Sequence, residues 1–530
     1  MRKMGLALLL FCGLALGAQA APIGTAEGPV EGFAKGGVTQ YLGIPYAKPP
    51  VGALRWMPPE AVTKWTNVRK ADKFGPTCAQ ITTLGPFAGP PNDNEDCLYL
   101  NVFTPDVKAK LPVLVWIHGG GYVDGESDDY DATKLAKDGK LVVVTINYRL
   151  NLFGFLSHPA LNNGSGNFGL MDMQASLRWV QRNIAQFGGD PGNVTLGGQS
   201  AGAGAAAANV VSPGAKGLFH RAIFQSGGYT PFAPKAIAQE RAAKFAAAAG
   251  CKDAACLRAL PAGRITALSG TSSANGPFIT GPMVDGTVIP VQMIDAVNSG
   301  TFNRMPIMIG TTKDEANFTI GIAQYFRKDY APTTEAHFQT AMKNIYGGNA
   351  GPGASPPAFP KGTVEAVLAR YPVKDSVQAA WTGAATDNIA CRGQYTAEAL
   401  SPHVPVYMYE FGDRTAPTYF PKMPGYKALA YHTGDIPYVF LGYHGGPKGL
   451  PTPLNATQRN LSDRLAAAWA NFARSGNPNG KGDAPWPRWQ KGGDAPAYFL
   501  QDDAWKTVQT NSQFAAAHQC GFWQSILRYK

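Results

Sequence analysis

One serine in the 530-residue chain stands among residues that have almost no side chain. Ser200 is the centre of Gly198-Gln199-Ser200-Ala201-Gly202, which fits the pattern G-x-S-x-G. In that pattern the serine occupies a strained turn between a strand and a helix, where the crowded backbone requires small residues on both sides. The chemistry that such a turn supports is nucleophilic attack by the hydroxyl, with the backbone N–H of Ala201 directed at the oxyanion that forms.

The segments that flank Ser200 favour this interpretation. The preceding NVTL (193–196) is a β-branched run suited to a short buried strand, and the following AGAGAAAANVV (201–211) is compatible with a helix that lies close to a sheet. A strand, a turn and a helix in this order are the setting that the motif requires. The alternative, a loop of small residues or the start of a tightly packed helix, needs no such order.

A second glycine-rich segment, HGGG at 118–121, directly follows the apolar run LPVLVWI. Glycines at this place let backbone N–H groups face a ligand without obstruction. A simple tight turn is the alternative, but a serine motif about 80 residues later makes HGGG the second half of an oxyanion hole. We therefore expect the N–H groups of Gly120, Gly121 and Ala201 to bind the oxyanion.

A serine hydroxyl becomes a good nucleophile only when a base removes its proton and an acid orients that base. When the strand–turn–helix serine comes first, the chain order is serine, acid, histidine. Asp314 and Glu315 follow the apolar run MPIMI, which places one of them at the end of a strand. The residues alone do not select the base among the histidines beyond them, which are His337, His403, His432, His444 and His518.

The elements that must position these residues alternate between strands and helices. Several runs are continuously apolar, which is typical of strands covered on both faces: 111–117, 141–149, 220–228, 305–312 and 404–411. Between them, one helix face is predicted by the spacing of Leu170, Met173, Leu177, Val180, Ile184 and Phe187. Residues 236–249 are predicted to form an alanine-rich surface helix, and 347–362 a loop. The fold class is therefore α/β, with a mostly parallel sheet flanked by helices and no linker that divides the chain.

Composition and charge describe a globular protein. The chain is 45% hydrophobic and 16% charged, with a net charge of +11, but its basic residues are scattered, so nucleic-acid binding is not indicated.

Arg2 and Lys3 precede an apolar run, and AQA at 18–20 fits a cleavage site, which predicts a signal peptide over 1–20 and a secreted or periplasmic protein. A membrane anchor is the alternative, but the run is short for a span and no other stretch is apolar enough to cross a bilayer.

The chain has seven cysteines, of which Cys12 lies in the predicted signal peptide. The other six are an even number, which in an exported protein predicts three disulfides. Cys251 and Cys256 are the natural local pair, and the residues alone leave three pairings open for the other four. No cysteine or histidine cluster has the spacing of metal ligands, and we expect neither a metal nor an organic cofactor.

From about Gly28 to Trp523 the sequence resembles the type-B carboxylesterase family, which includes cholinesterases and bacterial para-nitrobenzyl esterases. The resemblance lies in specific blocks in the family order, among them YLGIPYAKPPVGALRW, EDCLYLNVFTP, NYRLNLFGFLS and FHRAIFQSGG. It implies a single α/β-hydrolase domain over 21–530 with a Ser–Glu–His triad. The family's G-x-x-x-D-E segment puts Glu315 in the role of the acid, and HTGDIPYVF makes His432 the base.

The resemblance also implies the remaining pairings and two supporting residues. The disulfides would be Cys78–Cys97, Cys251–Cys256 and Cys391–Cys520. Ser226 and Asp435 match polar positions that support the histidine from behind, although they could also be ordinary buried polar residues.

Two departures from the family pattern bear on the substrate. The residue before the serine is usually glutamate, but here it is Gln199, and the segment between Cys78 and Cys97 has no tryptophan. Both argue against choline esters, because a quaternary ammonium is held by an aromatic face and a carboxylate. We expect a serine carboxylesterase that acts on a small-molecule ester. The alternatives are a non-catalytic binding module of the same fold, or the same triad acting on lactones, thioesters or carbamates; the oligomeric state stays open.

Overall fold

The computed structural model describes residues 19–87, 89–161, 165–228, 230–269, 281–347, 359–481 and 484–527. The predicted signal peptide lies almost wholly outside the described residues, and so does most of the loop predicted over 347–362. The described residues form sixteen strands and sixteen α-helices.

The strands vary in length from two residues in β1 to eleven in β9. Their bounds are β1 Ile23–Gly24, β2 Pro29–Glu31, β3 Phe33–Lys35, β4 Val38–Pro45, β5 Arg69–Lys70, β6 Tyr99–Thr104, β7 Leu111–Ile117, β8 Val142–Ile146, β9 Gly189–Gln199, β10 Arg221–Gln225, β11 Ala233–Pro234, β12 Met283–Val284, β13 Ile307–Thr312, β14 Val406–Phe411, β15 Pro496–Gln501 and β16 Val508–Thr510.

The helices connect these strands and cover both faces of the sheet. Their bounds are α1 Thr133–Gly139, α2 Asn151–Phe155, α3 Phe168–Asn183, α4 Ala201–Val211, α5 Lys235–Ala249, α6 Ala254–Ala259, α7 Ala262–Ser269, α8 Met293–Asn298, α9 Asn317–Tyr325, α10 Glu335–Tyr346, α11 Thr363–Arg370, α12 Val377–Leu400, α13 Ile436–Val439, α14 Ala456–Ser475, α15 Asn511–Ala517 and α16 Cys520–Ile526.

Eleven of the strands form one sheet in the order β16-β15-β14-β13-β10-β9-β7-β8-β6-β4-β3. Its centre, from β8 through β7, β9, β10, β13 and β14 to β15, is parallel. Antiparallel pairs occur only towards the two edges. Parallel strands place their carboxyl ends at one edge of the sheet, and the segments that follow β7, β9, β10 and β13 therefore meet there.

The continuous apolar runs are explained by cover on both faces. In β7, Val113, Val115 and Ile117 belong to one hydrophobic core, whereas Leu114 and Trp116 belong to the core on the opposite face. Side chains alternate between the faces of a strand, so a strand buried on both sides has no polar positions. The mostly parallel, doubly covered sheet predicted from the sequence is confirmed.

Two predicted helices are confirmed with different bounds. The apolar face that begins at Leu170 lies on α3 and is buried, but its last two residues, Ile184 and Phe187, belong to a 3₁₀ turn that continues the helix. Helix α5 is a surface helix that buries one face, with Phe245 at its centre.

The three disulfides implied by the family resemblance are present. They join Cys78 to Cys97, Cys251 to Cys256 and Cys391 to Cys520. The last connects α12 to α16 across 129 residues of sequence. In the described residues, no helix is both long and apolar enough to span a membrane.

Candidate active site

Ser200 lies at the sharp turn between β9 and α4, as the motif predicts. Its backbone has φ 57° and ψ −121°, a conformation that costs a non-glycine residue of order 1–3 kcal/mol. The two motif glycines are required by close approach. A Cβ on Gly198 would lie 2.5 Å from the carbonyl carbon of Gly202, and a Cβ on Gly202 would lie 2.1 Å from the carbonyl oxygen of Ile117. The turn therefore holds the Ser200 side chain at the carboxyl edge of the sheet.

Glu315 and His432 meet, although 117 residues separate them in the sequence. The Nδ1 atom of His432 makes a short hydrogen bond with Oε2 of Glu315. The other oxygen of Glu315 accepts hydrogen bonds from the backbone N–H of Thr312 at 2.7 Å and from the hydroxyl of Thr311 at 2.8 Å. Burial alone would raise the pKa of Glu315, which is 1% exposed, but His432, Thr312 and Ser226 together lower it. The structure thus holds a buried carboxylate against one ring nitrogen of His432.

The neighbouring acid, Asp314, points elsewhere. Its carboxylate pairs with both the Nε and Nη2 atoms of Arg414, at 2.9 and 2.7 Å, and accepts from the N–H of Ala430 at 3.2 Å. Backbone pairing between Asp314 and Tyr431, and a 3.3 Å bond from the N–H of His432 to the carbonyl of Glu315, tie the two segments together. Asp314 fixes the histidine-bearing loop, and Glu315 contacts the histidine itself.

The second ring nitrogen of His432 contacts Gln199. The side-chain amide nitrogen of Gln199 lies 3.0 Å from Nε2 of His432. Among the hydrogen bonds of the described residues, none involves the hydroxyl of Ser200. Bonds between catalytic groups are often long in the absence of substrate and shorten when it binds. Gln199 is fully buried, so its neutral amide is a fixed neighbour of the ring.

The backbone around HGGG adopts conformations that require glycine. Gly120 and Gly121 have φ of +108° and +61°, and a Cβ on Gly120 would lie 1.8 Å from the carbonyl oxygen of Asp124. Among the described hydrogen bonds, none is donated by the backbone N–H of Gly120, Gly121 or Ala201. Ala201 is the first residue of α4, where N–H groups have no partner within the helix. The three N–H groups expected to bind the oxyanion therefore have no acceptor among the described hydrogen bonds.

Ser226 and Asp435 lie behind the histidine and the acid. Ser226 follows β10 and is near enough to Glu315 to help lower its pKa. Asp435, which is 2% exposed, has its pKa raised to about 7 by burial and further by the charge of Glu315, while Gln225 and His432 act in the opposite direction. A buried carboxylic acid that resists ionisation therefore stands next to Glu315 and His432.

Ser200 and His432 open into a cavity of about 450 Å³, which is within the range of small-molecule sites. Its wall is mostly apolar and includes Leu84, from the segment closed by the Cys78–Cys97 disulfide. The aromatic rings of the described wall are phenylalanines and tyrosines, without tryptophan: Tyr122, Phe232, Phe318, Tyr346 and Phe359. The described residues contain no group of three or more histidine, cysteine or acidic side chains that could hold a metal.

The sequence analysis missed one wall of this cavity. Ala385, Asn388, Ile389 and Arg392 line it from α12. Their spacing of three, one and three residues is that of one helix face, which was the available signal. The apolar positions alone did not mark this face, because Asn388 and Arg392 interrupt it.

The chain belongs to the carboxylesterase family, whose pattern matches residues 19–523. It is an α/β-hydrolase and a carboxylic ester hydrolase. It is 34% identical to the para-nitrobenzyl esterase of Bacillus subtilis (strain 168) over 491 residues, which cover 88% of this chain and 92% of that protein. It is 35% identical to the acylcarnitine hydrolase of Mus musculus over 521 residues, which cover 94% and 88% of the two chains. A solved PNB esterase structure superposes with a TM-score of 0.77 at 31% identity, covering 94% of this chain and 99% of the other.

Proposed function

We propose that this protein is an exported serine carboxylesterase in which Ser200, His432 and Glu315 form the catalytic triad. The observation that carries the proposal is the buried contact between Glu315 and His432 beside the strained turn of Ser200, with both His432 and Ser200 open to one cavity. A carboxylate on Nδ1 keeps the proton on that nitrogen, so that Nε2 can accept the serine proton.

The reaction begins when the Ser200 oxygen attacks the ester carbonyl carbon while His432 takes the hydroxyl proton. The carbonyl oxygen becomes an oxyanion, which the N–H groups of Gly120, Gly121 and Ala201 bind. The tetrahedral intermediate then expels the alcohol, which receives the proton from His432, and an acyl group remains on Ser200.

Water completes the cycle by the same chemistry. His432 removes a proton from water, which attacks the acyl carbon, and Ser200 leaves with the proton as the carboxylic acid is released. Glu315 stabilises the protonated ring in both halves of the reaction. The amide of Gln199 gives up its contact with Nε2 when the substrate brings the serine hydroxyl into line. Because this amide is neutral, it adds no charge that would hold the ring in its protonated form.

Export is proposed on separate grounds. The N-terminal charge, apolar run and AQA site are those of a cleaved signal peptide, and three disulfides suit an oxidising compartment. The mature chain would begin at Ala21. Its intact mass after expression in a secreting host tests this cleavage site.

The decisive experiment on the site replaces Ser200 with alanine. We expect kcat for p-nitrophenyl butyrate to fall by about 10³-fold or more, and labelling by an organophosphate to disappear, because the variant has no nucleophile. Ser212→Ala is the matched control, since Ser212 lies at the opposite end of the same helix, where its hydroxyl bonds Gln174. Activity of Ser200→Ala within a hundredfold of the wild type would refute the assignment.

A further inference from the structure

Asp124 packs against the turn whose N–H groups are expected to bind the oxyanion. Its backbone N–H donates to the carbonyl oxygen of Gly120 at 3.1 Å, and its carboxyl oxygen Oδ1 lies 3.0 Å from the place that a Cβ on Gly120 would take. The side chain of Asp124 is fully buried. A buried ionisable group therefore lies beside a residue that supplies one of the three N–H groups.

The other carboxyl oxygen of Asp124 holds the segment that the Cys78–Cys97 disulfide closes. This oxygen, Oδ2, accepts hydrogen bonds from the backbone N–H of Thr83 at 3.0 Å and from the hydroxyl of Thr83 at 3.2 Å. The next residue, Leu84, lines the cavity that contains Ser200. Asp124 thus connects the oxyanion turn to one wall of the cavity.

The surroundings of Asp124 favour its protonated form. Among the described residues its Oδ1 has no hydrogen-bond partner, and the bonds to Oδ2 come from uncharged groups. Burial raises the pKa of Asp124 to about 8, although the bonds from Thr83 and from the backbone of Leu84 lower it. The carboxyl group is therefore protonated at neutral pH and ionises in weakly alkaline solution.

The ionisable groups near Asp124 do not offset its charge. His118 lies against Gly125, but burial lowers the pKa of His118 to about 4, so its ring is neutral when Asp124 ionises. Tyr148 stacks on His118, and the pKa of Tyr148 is raised by burial and, to a smaller extent, by the charge of Asp124. Glu126 is itself an acid. A negative charge on Asp124 would therefore act on the oxyanion turn without a compensating cation.

We propose that Asp124 is a positioning residue that supports ester hydrolysis fully only in its protonated form. The proposal rests on Ser200 acting as proposed above, with the oxyanion bound at Gly120 and Gly121. As a neutral acid, Asp124 fixes the oxyanion turn against Thr83 and adds no charge there. Once ionised, it repels the oxyanion, and such repulsion is strong in a site that excludes water.

The test is the pH dependence of kcat/KM for ethyl butyrate, measured in a pH-stat from about pH 6 to pH 10, because kcat/KM reports the ionisations of the free enzyme. For the wild type we expect a fall of about tenfold above pH 8, reversed on return to pH 7. In Asp124→Asn the fall should disappear, while kcat/KM at pH 7 stays within about threefold of the wild type. The asparagine is neutral at every pH, and its oxygen can still accept from the N–H of Thr83.

Two further variants assign the effect to Asp124. Glu126→Gln is the matched control: Glu126 is a buried acid nearby in the sequence, but it bonds the hydroxyl of Thr77 at 2.6 Å, so its replacement is expected to keep the alkaline fall. Thr83→Val removes a bond that favours the ionised form of Asp124, so the fall should move to higher pH. Melting temperatures establish that each variant is folded, and Thr83→Val serves if Asp124→Asn is not.

The outcomes separate this inference from the proposed function. The inference is wrong if the wild type shows no alkaline fall, if Asp124→Asn retains the fall, or if Thr83→Val leaves its position unchanged. An equal loss of the fall in Glu126→Gln would assign it to the acidic residues as a group and would also overturn the inference. In each of these cases the wild type still hydrolyses ethyl butyrate at pH 7. Failure to hydrolyse any ester at any pH would instead contradict the proposed function.

Discussion

The two adjacent acids offer a sharp test of the triad, because the structure gives them different partners. In Glu315→Gln, the side-chain amide has one oxygen and one NH₂ group, so it can accept hydrogen bonds either from the two threonines or from His432, but not from both. If its oxygen accepts from Thr311 and Thr312, its NH₂ group faces Nδ1 of His432, which must then act as an acceptor and move its proton to Nε2. In the opposite orientation the NH₂ group faces the N–H of Thr312, where a hydrogen bond to a charged acceptor, worth about 1.5–3 kcal/mol, is lost.

The first orientation avoids that loss, so we expect the ring to be held in the tautomer that cannot accept a proton from Ser200. An equivalent exchange in Ser–His–Asp enzymes lowers kcat by about 10⁴, or about 5 kcal/mol of transition-state stabilisation. We expect a loss of 10³–10⁴ in kcat for p-nitrophenyl butyrate and in the rate of organophosphate labelling. The melting temperature of Glu315→Gln should change little, because the amide retains the bonds from both threonines.

Asp314→Asn should behave in the opposite way. It replaces a two-bond ion pair with Arg414, whose side chain is half exposed, so the loss of stability is about 1 kcal/mol after screening by solvent. The asparagine oxygen still accepts from the N–H of Ala430. We expect kcat to remain within about tenfold of the wild type while the melting temperature falls by a degree or two. Equal losses of kcat in the two variants, or a larger loss in Asp314→Asn, would refute the assignment of Glu315.

Two further predictions concern pH and substrate charge. The pKa of Asp435 is raised to about 7 in the folded protein, against about 3.9 when unfolded, so the stability that its proton gives is complete below pH 4 and is lost as the pH rises through 7. Asp435→Asn should therefore raise the melting temperature relative to the wild type at pH 8 but not at pH 4, whereas the exposed Asp494→Asn should show no such difference; an equal effect of Asp435→Asn at both pH values would contradict this reasoning. Butyrylcholine should have a lower kcat/KM than its neutral isostere 3,3-dimethylbutyl butyrate, because Gln199 supplies no carboxylate and the described cavity wall offers no tryptophan ring to the ammonium group. A tenfold preference for the choline ester would show that the phenylalanine and tyrosine rings hold the ammonium group after all.

Local rules predict the turn at Ser200 from the sequence. Gly198 must lack a side chain because a Cβ there would meet the backbone of Gly202 in the same turn, so the tightness of the turn is visible in the residue type. Continuous apolar runs such as 111–117 likewise predict strands buried on both faces. These features depend on residues that are near one another in the chain, so the sequence determines them by itself.

The choice of His432 as the base depended on a family resemblance, since the sequence pattern alone left five candidate histidines. Proximity between residues 117 positions apart is decided by the order of strands in the sheet, which brings the segments after β9 and β13 to one edge and lays the loop containing His432 beside them. The same holds for the roles of Asp314 and Glu315, which are adjacent in sequence but face different partners.

The wall formed by α12 was decided by tertiary structure alone. Asn388 and Arg392 are polar residues on a helix, and a helix with polar residues on one face ordinarily turns that face to solvent. Here the face lies against the cavity, because the opposite side of α12 packs into the core and Cys391, next to Arg392, is joined to Cys520 of α16. Which side of a helix meets water is a property of the packed molecule, and residue types fix it only when the two faces differ strongly in polarity.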